Sequence, residues 1–218
     1  MTKGDLEKMV AAGESLYLEF KHRLPESERI AREMAALANT SGGHLLIGVD
    51  DTGRLMGVKD PEEELYALKN ALEMHCIPYI DFQHERIKVS RTRTVIVVKV
   101  PMSSIRPHYV QELSTQRKSV FVRFEDMCIM ASHEARKLMS LGPKLEATLI
   151  TLGEKERVLL KQLEEVGKIT VRSFARYARI HPGRASRIMV RMTRARILIH
   201  HIDLNEDYFT AGSALSEN

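Results

Sequence analysis

Four side chains near the amino terminus have the types and spacing of a site for a divalent cation. Glu14 precedes a short strand that carries Glu19 and Lys21, and because strand side chains alternate, Glu19 and Lys21 share one face. A second, fully apolar strand ends just before Asp50 and Asp51, and one of these two aspartates is the fourth side chain. If the two strands are neighbours, three carboxylates and a lysine converge. Such a cluster could hold Mg²⁺ or Mn²⁺ and position a phosphodiester.

Structural interpretations of the same residues remain open. Glu19 and Lys21 could form only a local ion pair, and Asp51 could be only a turn residue. We favour a structural or ligand-sensing role over a nuclease, and nucleotide binding comes last. The pair Gly42-Gly43 is not a phosphate-binding loop, because no G-x-x-x-x-G-K-[ST] pattern occurs.

A second group of chemically active side chains is cationic and lies towards the carboxyl terminus. Residues 1–153 hold 21 Lys and Arg against 21 Asp and Glu, whereas residues 154–218 hold 12 against 8 and so carry the whole formal charge of +4. Within that part, residues 166–202 contain Lys168 and eight arginines and no acidic residue. Since solvated helix faces usually mix both signs, this segment predicts a polyanionic partner.

Three helices and a hairpin are predicted around these cations. Residues 154–166, 170–178 and 182–194 carry apolar side chains at helical spacing, and the last two helices are separated by a turn of helix-turn-helix length. Alternation on both sides of the turn at residues 203–207 predicts a two-stranded wing. We therefore predict a winged helix-turn-helix over residues 154–212 that binds double-stranded DNA.

The third of these helices is the expected reader of the major groove. Arginine can bind guanine in bidentate fashion there, serine can contact bases or phosphates, and flanking cations suit phosphates. RNA or a protein is the alternative partner. Because operators for such modules usually contain two half-sites, we also expect a homodimer. The residues predicted to contact nucleic acid are Lys168, Arg172, Arg184, Ser186, Arg187, Arg191, Arg194 and Arg196.

The amino-terminal part is predicted to mix helices and strands. Breakers on either side of residues 143–153 indicate a linker there. The sequence thus predicts an α+β domain over residues 1–142, the winged helix over 154–212, and a tail at 213–218. The predicted helices cover 4–12, 27–39, 61–75 and 131–139, with Ser27 and Ser132 as N-caps. The predicted strands cover 16–21, 44–49, 86–90, 94–100 and 119–124, and a further short strand after the turn at 51–53 ends near Val58.

Two blocks of the amino-terminal part form a distinctive motif. Residues 13–21 are GESLYLEFK and residues 36–53 are ALANTSGGHLLIGVDDTG. With the later RPHY at 106–109 and FVR at 121–123, they resemble the Schlafen/AlbA-type domain family over about residues 4–139. The resemblance implies a mixed sheet-and-helix domain that contacts nucleic acid. Bacterial members are often fused to a carboxyl-terminal helix-turn-helix and described as transcriptional regulators.

The resemblance also implies a candidate catalytic set. Schlafen proteins with RNase activity use a Glu, Glu, Asp set from this motif. The matching positions are Glu14, Glu19 and Asp51, with Asp50 as the alternative to Asp51 and Lys21 beside them. This chain lacks the zinc-binding Cys/His set of those nucleases and has one such domain where they pair two. We therefore predict a DNA-binding transcriptional regulator. The alternative is a Mg²⁺- or Mn²⁺-dependent endonuclease acting on RNA or single-stranded DNA.

Composition disfavours several other classes. No apolar run approaches the roughly 18 residues that span a bilayer, and the amino terminus lacks the apolar region of a signal peptide. Cys76 and Cys128 have neither metal-ligand nor disulfide-framework spacing, which suits a reducing compartment. We expect a cytoplasmic protein with no membrane partner, and no cofactor beyond the metal of the alternative function.

Overall fold

The protein divides into two compact units in the computed structural model, which describes residues 1–142 and 152–212. The amino-terminal unit is Met1–Ala131 and the carboxyl-terminal unit is Ser132–Asn218. The predicted tail at 213–218 lies outside the described residues, as does most of the predicted linker at 143–153.

The amino-terminal unit has a mixed α+β architecture with two sheets. The first sheet has the order β1-β2-β5-β4, in which β1 and β2 are parallel and the other pairs are antiparallel. The second is antiparallel, with the order β3-β6-β7-β8. Its elements in chain order are α1 (Lys3–Ala11), β1 (Leu18–Lys21), α2 (Ser27–Asn39), β2 (Gly43–Ile47), α3 (Pro61–His75), β3 (Cys76–Ile77), β4 (Gln83–Lys88), β5 (Thr94–Val100), β6 (Tyr109–Gln111), β7 (Lys118–Phe124) and β8 (Met127–Met130).

Helix α2 connects the parallel strands β1 and β2 and is the centre of this unit. It packs against α3 and β7. Its carboxyl-terminal half is buried on nearly every side, and the small side chains of Ala35, Ala36 and Ala38 let neighbouring elements approach closely. On the opposite face of the first sheet, Leu6 and Val10 of α1 join a second apolar cluster. The first sheet is therefore covered on both faces.

Most of the predicted elements of this unit are present, but the short strand predicted to end near Val58 is not, since only isolated bridges form at Leu55 and Val58. Ser27 is not an N-cap, because α2 begins at Ser27 itself and the Ser27 hydroxyl is paired with Nε2 of His75 at 3.0 Å. The short strands β3, β6 and β8 were not predicted, whereas α2, α3 and β5 have the predicted bounds.

In its described residues, the carboxyl-terminal unit contains four helices and a small three-stranded antiparallel sheet. Phe174, Met189 and Phe209 are fully buried in its core. No helix of the described residues, in either unit, is long and apolar enough to cross a membrane. The elements are α4 (His133–Ser140), α5 (Glu154–Val166), β9 (Ile169–Thr170), α6 (Val171–Tyr177), α7 (Pro182–Arg194), β10 (Leu198–His201) and β11 (Tyr208–Ala211).

Helix α4 belongs by its contacts to the carboxyl-terminal unit, although the sequence prediction assigned it to the first domain. Ser132 caps it as predicted, with its hydroxyl accepting from the Ala135 amide at 3.0 Å. Its partner in the fold is α7, and the division between the units therefore falls at Ala131–Ser132 and not at residue 142.

Candidate nucleic-acid interface and carboxylate cleft

Asn39, the asparagine of the ANTSGG block, connects α2 to the second sheet through its side-chain hydrogen bonds. It is buried, and its Nδ2 donates to the carbonyls of His108 at 3.0 Å and Phe121 at 2.9 Å. Its Oδ1 accepts from the His108 amide at 2.7 Å. Three hydrogen bonds from one side chain thus fasten the end of α2 to the second sheet, which accounts for both Asn39 and the later RPHY segment.

The paired glycines of the same block allow a close backbone approach. Gly42 and Gly43 have φ values of +73° and +155°. A Cβ on Gly42 would lie 2.6 Å from the Val100 carbonyl oxygen, and one on Gly43 would lie 2.5 Å from that of Tyr17. Any larger residue would therefore push β2 away from its neighbours. The glycines serve the entry into β2 and not a phosphate.

Glu19 lies in a buried cluster of charges. It is 5% exposed, and its carboxylate accepts from Lys21 and, at 2.7 Å, from Nη1 of Arg123, whose side chain is 0% exposed. Nη1 also donates to Glu33 at 3.2 Å, and Nη2 donates to the Ser15 carbonyl at 2.8 Å. Both carboxylate oxygens of Glu19 are thus occupied by cations of the same chain.

Glu33 is the second acid of this cluster. Its pKa is raised above the ordinary value of 4.5, first by burial and then by the nearby charge of Glu19, while Lys21 and Arg123 oppose the rise. The predicted pairing of Glu19 with Lys21 on one strand face is present. Arg123, which completes the pairing, was not predicted.

Glu14 and Asp51 line a different place, an open cleft of about 550 Å³. Glu7 and Asp126 also line it, and neither was predicted. Phe20 forms part of the wall, and its amide donates to Glu14 at 2.8 Å. Because neighbouring residues of β1 point to opposite faces, the wall position of Phe20 turns Glu19 away from the cleft.

Asp50 and Asp51 have separate roles. Asp50 Oδ1 accepts from the Thr52 amide and hydroxyl and from the Arg54 amide at 2.7–3.0 Å, which closes the turn after β2. These hydrogen bonds, led by that of the Thr52 hydroxyl, lower the pKa of Asp50. Asp51 is exposed and faces the cleft. Of the predicted catalytic set, the structure brings together Glu14 and Asp51 and leaves Glu19 and Lys21 apart.

The described residues contain no cluster of three His, Cys, Asp or Glu side chains placed to hold a metal ion. The predicted set of Glu14, Glu19 and Asp51 does not come together, because Glu19 lies on the opposite face of β1 from the cleft that Glu14 and Asp51 line. Two acids from distant segments, Glu7 and Asp126, take its place there. Nothing in the sequence pattern signals that these two would join them.

The exposed face of α7 is a row of arginines. Arg184, Arg187, Arg191 and Arg194 follow the spacing i, i+3, i+7, i+10, which places them in one stripe along the helix. At 1.5 Å per residue the stripe is about 15 Å long. The opposite face is buried and includes Met189. We call these four residues the arginine stripe.

Ser186 is not part of this surface. It is 5% exposed, and its hydroxyl donates to the Glu134 carboxylate of α4. Its predicted contact with nucleic acid is therefore corrected: Ser186 lies on the flank of α7 that α4 covers. Arg187, the neighbour considered with it, is exposed.

Arg191 is the one member of the stripe that has a carboxylate partner in the described residues. It donates to Glu156 of α5, which is buried, while the Arg191 side chain stays 51% exposed. It thus ties α7 to α5 as well as facing solvent. Arg184, Arg187 and Arg194 form no ion pair with the described residues.

The remaining predicted contacts flank the stripe from β9, α6 and the start of β10. The Lys168 ammonium lies 5.1 Å from the centre of the Tyr208 ring, and Arg172 lies 3.8 Å from a Glu206 oxygen. Arg196 is exposed with a φ of +60°. Arg176 is also exposed beside Arg172, although the sequence reasoning counted it without assigning it a contact.

Comparison with known proteins identifies the first unit. Among solved structures, the chain is similar to the DIP2311 protein from Corynebacterium diphtheriae, with 21% identity and a TM-score of 0.40 over 55% of this chain, and spans only 23% of that protein. It is also similar to the amino-terminal domain of a RecG-related protein from Nitrosomonas europaea, with 23% identity and a TM-score of 0.44 over 61% of this chain and 97% of that one. No curated protein matches the sequence. The Schlafen, AlbA_2 family model matches residues 14–132, more than half of the sequence, and the chain belongs to that family.

Proposed function

We propose that this protein is a DNA-binding transcriptional regulator that contacts duplex DNA through α7. The observation that carries the proposal is the arginine stripe, an exposed cationic row about 15 Å long on a helix whose other face is core. One DNA strand carries a phosphate every 3.4 Å or so along the axis, so the stripe extends over about four base pairs.

The surrounding elements support a winged helix-turn-helix over residues 154–212. Helices α6 and α7 are joined by a short turn, and β10 and β11 form the antiparallel hairpin expected of a wing. Thr170 caps α6, and His181 caps α7 through the Gly183 amide at 3.1 Å. The capped start and the buried inner face of α7 favour a fixed position of this helix, as its insertion into a groove would require.

Roles within the stripe follow from position. Arg184 and Arg187 lie in the first half of α7, the part that reads base edges in helix-turn-helix proteins. Arg194 is the last residue of α7 and Arg196 follows it, and both suit phosphates, as does Lys168 just before β9. Under this proposal the Schlafen, AlbA_2 domain supplies dimerisation, ligand sensing or further nucleic-acid contact.

The nuclease alternative has less support. Glu19, one of its three carboxylates, is occupied by Arg123 and Lys21 on the far side of β1 from Glu14 and Asp51. Incubation with tRNA and with single-stranded DNA in Mg²⁺ or Mn²⁺ tests it. Cleavage by the wild type that is lost in Asp51→Asn would favour the enzyme over the regulator.

The proposal is tested by the salt dependence of binding to a 30-base-pair duplex, followed by fluorescence anisotropy. About five phosphate contacts predict a slope of log K against log salt of roughly −4 to −5. The double variant Arg184→Ala with Arg187→Ala should bind at least tenfold more weakly. Arg191 is left intact, because its replacement would leave the buried Glu156 without its ion-pair partner.

A charge-matched control separates the stripe from net charge. Arg157→Ala with Lys161→Ala also removes two exposed cations of the same unit, but from α5. We expect this control to bind nearly as tightly as the wild type. Equal losses in both double variants, or a wild-type slope near zero, would refute binding through α7.

A further inference from the structure

We propose that the groove between α4 and α7 receives one phosphate-sugar strand of the duplex, with Lys137 of α4 as a phosphate contact. The inference rests on the proposed function and extends the DNA-binding surface to a helix outside residues 154–212. The groove has a volume of about 250 Å³. Its lining residues are His133, Lys137, Leu141, Ser186, Arg187, Val190, Arg191 and Arg194.

The α4 side of the groove is one face of a helix. The lining residues on this side are His133 and Lys137 of α4 and Leu141, its C-cap. They recur every four residues and so lie in one row. The α7 side contributes Arg187 and Arg194 from the arginine stripe. Cations from two helices thus face the same space, and Leu141 and Val190 are the apolar side chains of its lining.

The acids near the groove are already engaged. Glu134 accepts from the Ser186 hydroxyl, and Glu156 is paired with Arg191. Lys137, Arg187 and Arg194 form no ion pair with any of the described residues. The groove therefore offers three cations to an incoming anion without first breaking an ion pair seen in the structure.

Helix α4 is held in place at its start. The Ser132 hydroxyl donates to Asp207 at 2.5 Å, and the same carboxylate oxygen is paired with Nε2 of His200 at 2.7 Å. One acid before β11 thus joins the cap of α4 to β10. Together with the Glu134–Ser186 hydrogen bond, this contact keeps the two walls of the groove at a fixed separation.

The width of the major groove indicates that α4 meets the sugar-phosphate backbone of the DNA and not its bases. The major groove of B-DNA is about 12 Å wide and admits one helix, whose diameter with side chains is about 10–12 Å. When α7 occupies the groove, a helix packed along its flank must lie at the groove's edge. The strand backbone is at that edge, and phosphate is the anion that a lysine there meets.

The test compares two cations of the same helix. Lys137 lines the groove, whereas Arg136 is exposed, does not line it, and donates through Nε to the Ser132 carbonyl at 3.3 Å. Binding of the full chain to a 30-base-pair duplex is measured between 50 and 300 mM NaCl. Removing one phosphate contact should make the slope less steep by about 1 and weaken binding roughly fivefold at 0.1 M salt.

We expect that change in Lys137→Ala, a larger one in Lys137→Glu, and almost none in Arg136→Ala. The loss should be the same on duplexes of different sequence, because phosphates carry no sequence information. Thermal unfolding should be unchanged, since Lys137 is exposed and has no ion pair among the described residues.

Two results would overturn the inference alone: wild-type affinity and slope in Lys137→Ala, or equal effects of Lys137→Ala and Arg136→Ala. In both cases the wild type would still bind, and the Arg184→Ala, Arg187→Ala variant would still bind at least tenfold more weakly. A wild-type chain without salt-dependent binding would overturn the proposed function and the groove together.

Discussion

Replacing Glu19 with alanine should destabilise the amino-terminal unit strongly, because it removes the main counter-charge of a fully buried arginine. Breaking a buried ion pair from one side usually costs about 3–5 kcal/mol. Arg123 would keep Glu33, at 3.2 Å, and the Ser15 carbonyl, at 2.8 Å. The expected loss for Glu19→Ala is therefore at the lower end, about 3 kcal/mol.

In thermal terms this loss is large. For a unit the size of Met1–Ala131, 1 kcal/mol corresponds to roughly 3–4 °C, so the midpoint of this unit should fall by about 10 °C. Calorimetry of the full chain would give the midpoint. Amide hydrogen exchange at Phe20 and Val122, in β1 and β7, would assign the loss to this unit.

The matched control is an acid of the same motif that is exposed. Asp51→Ala should change the unfolding free energy by less than about 0.5 kcal/mol. A double variant, Glu19→Leu with Arg123→Met, should recover much of the loss, because the fully buried guanidinium is removed together with its main counter-charge. A wild-type midpoint in Glu19→Ala, or an equal loss in Asp51→Ala, would contradict a structural role for Glu19.

Two further predictions concern pH. The pKa of Glu33 is raised chiefly by burial, so the folded state binds the proton of Glu33 more tightly than the unfolded state does. The wild type should therefore gain stability relative to Glu33→Gln as pH falls towards 4.5. A difference in urea midpoint between the two proteins that stays constant from pH 8 to 4.5 would contradict this prediction. Burial raises the pKa of Asp207, but hydrogen bonds from His200, Ser132 and the Asp203 amide outweigh it and leave that pKa below 3.8. Asp207→Asn should therefore lower the unfolding free energy of the carboxyl-terminal unit by about 1.5–3 kcal/mol at pH 7. This difference from the wild type should shrink as pH falls below 3.8. A difference of the same size below pH 3.8 would contradict the prediction.

Helices with both an apolar period and a defined start were predictable in detail. Helices α3 and α7 begin at Pro61 and Pro182, where the fixed φ of proline suits a first turn, and both have the predicted bounds. The strands β3, β6 and β9 have two or three residues each and so show no alternation. Such strands are formed by their pairing partners, and the partners are distant in sequence.

The candidate site was predictable only where local geometry decides it. The two-residue period of a strand places Glu19 and Lys21 on one face, but it does not say which face is buried. That depends on Arg123, which lies 104 residues further along the chain. The predicted contact of Ser186 with nucleic acid was wrong for a similar reason, because helical periodicity alone cannot reveal that α4 covers one flank of α7.

The position of α4 also changes the interpretation of the linker predicted at residues 143–153. The family match ends at residue 132, and α4 begins at His133, immediately after the cap Ser132. Because α4 packs on α7, the predicted linker lies between two helices of the carboxyl-terminal unit, α4 and α5, and does not separate the two units. A helix that the sequence assigns to the first domain thus supplies one wall of the groove proposed for DNA. This is why Lys137, far from the arginine stripe in sequence, is the residue whose substitution tests the extent of that surface.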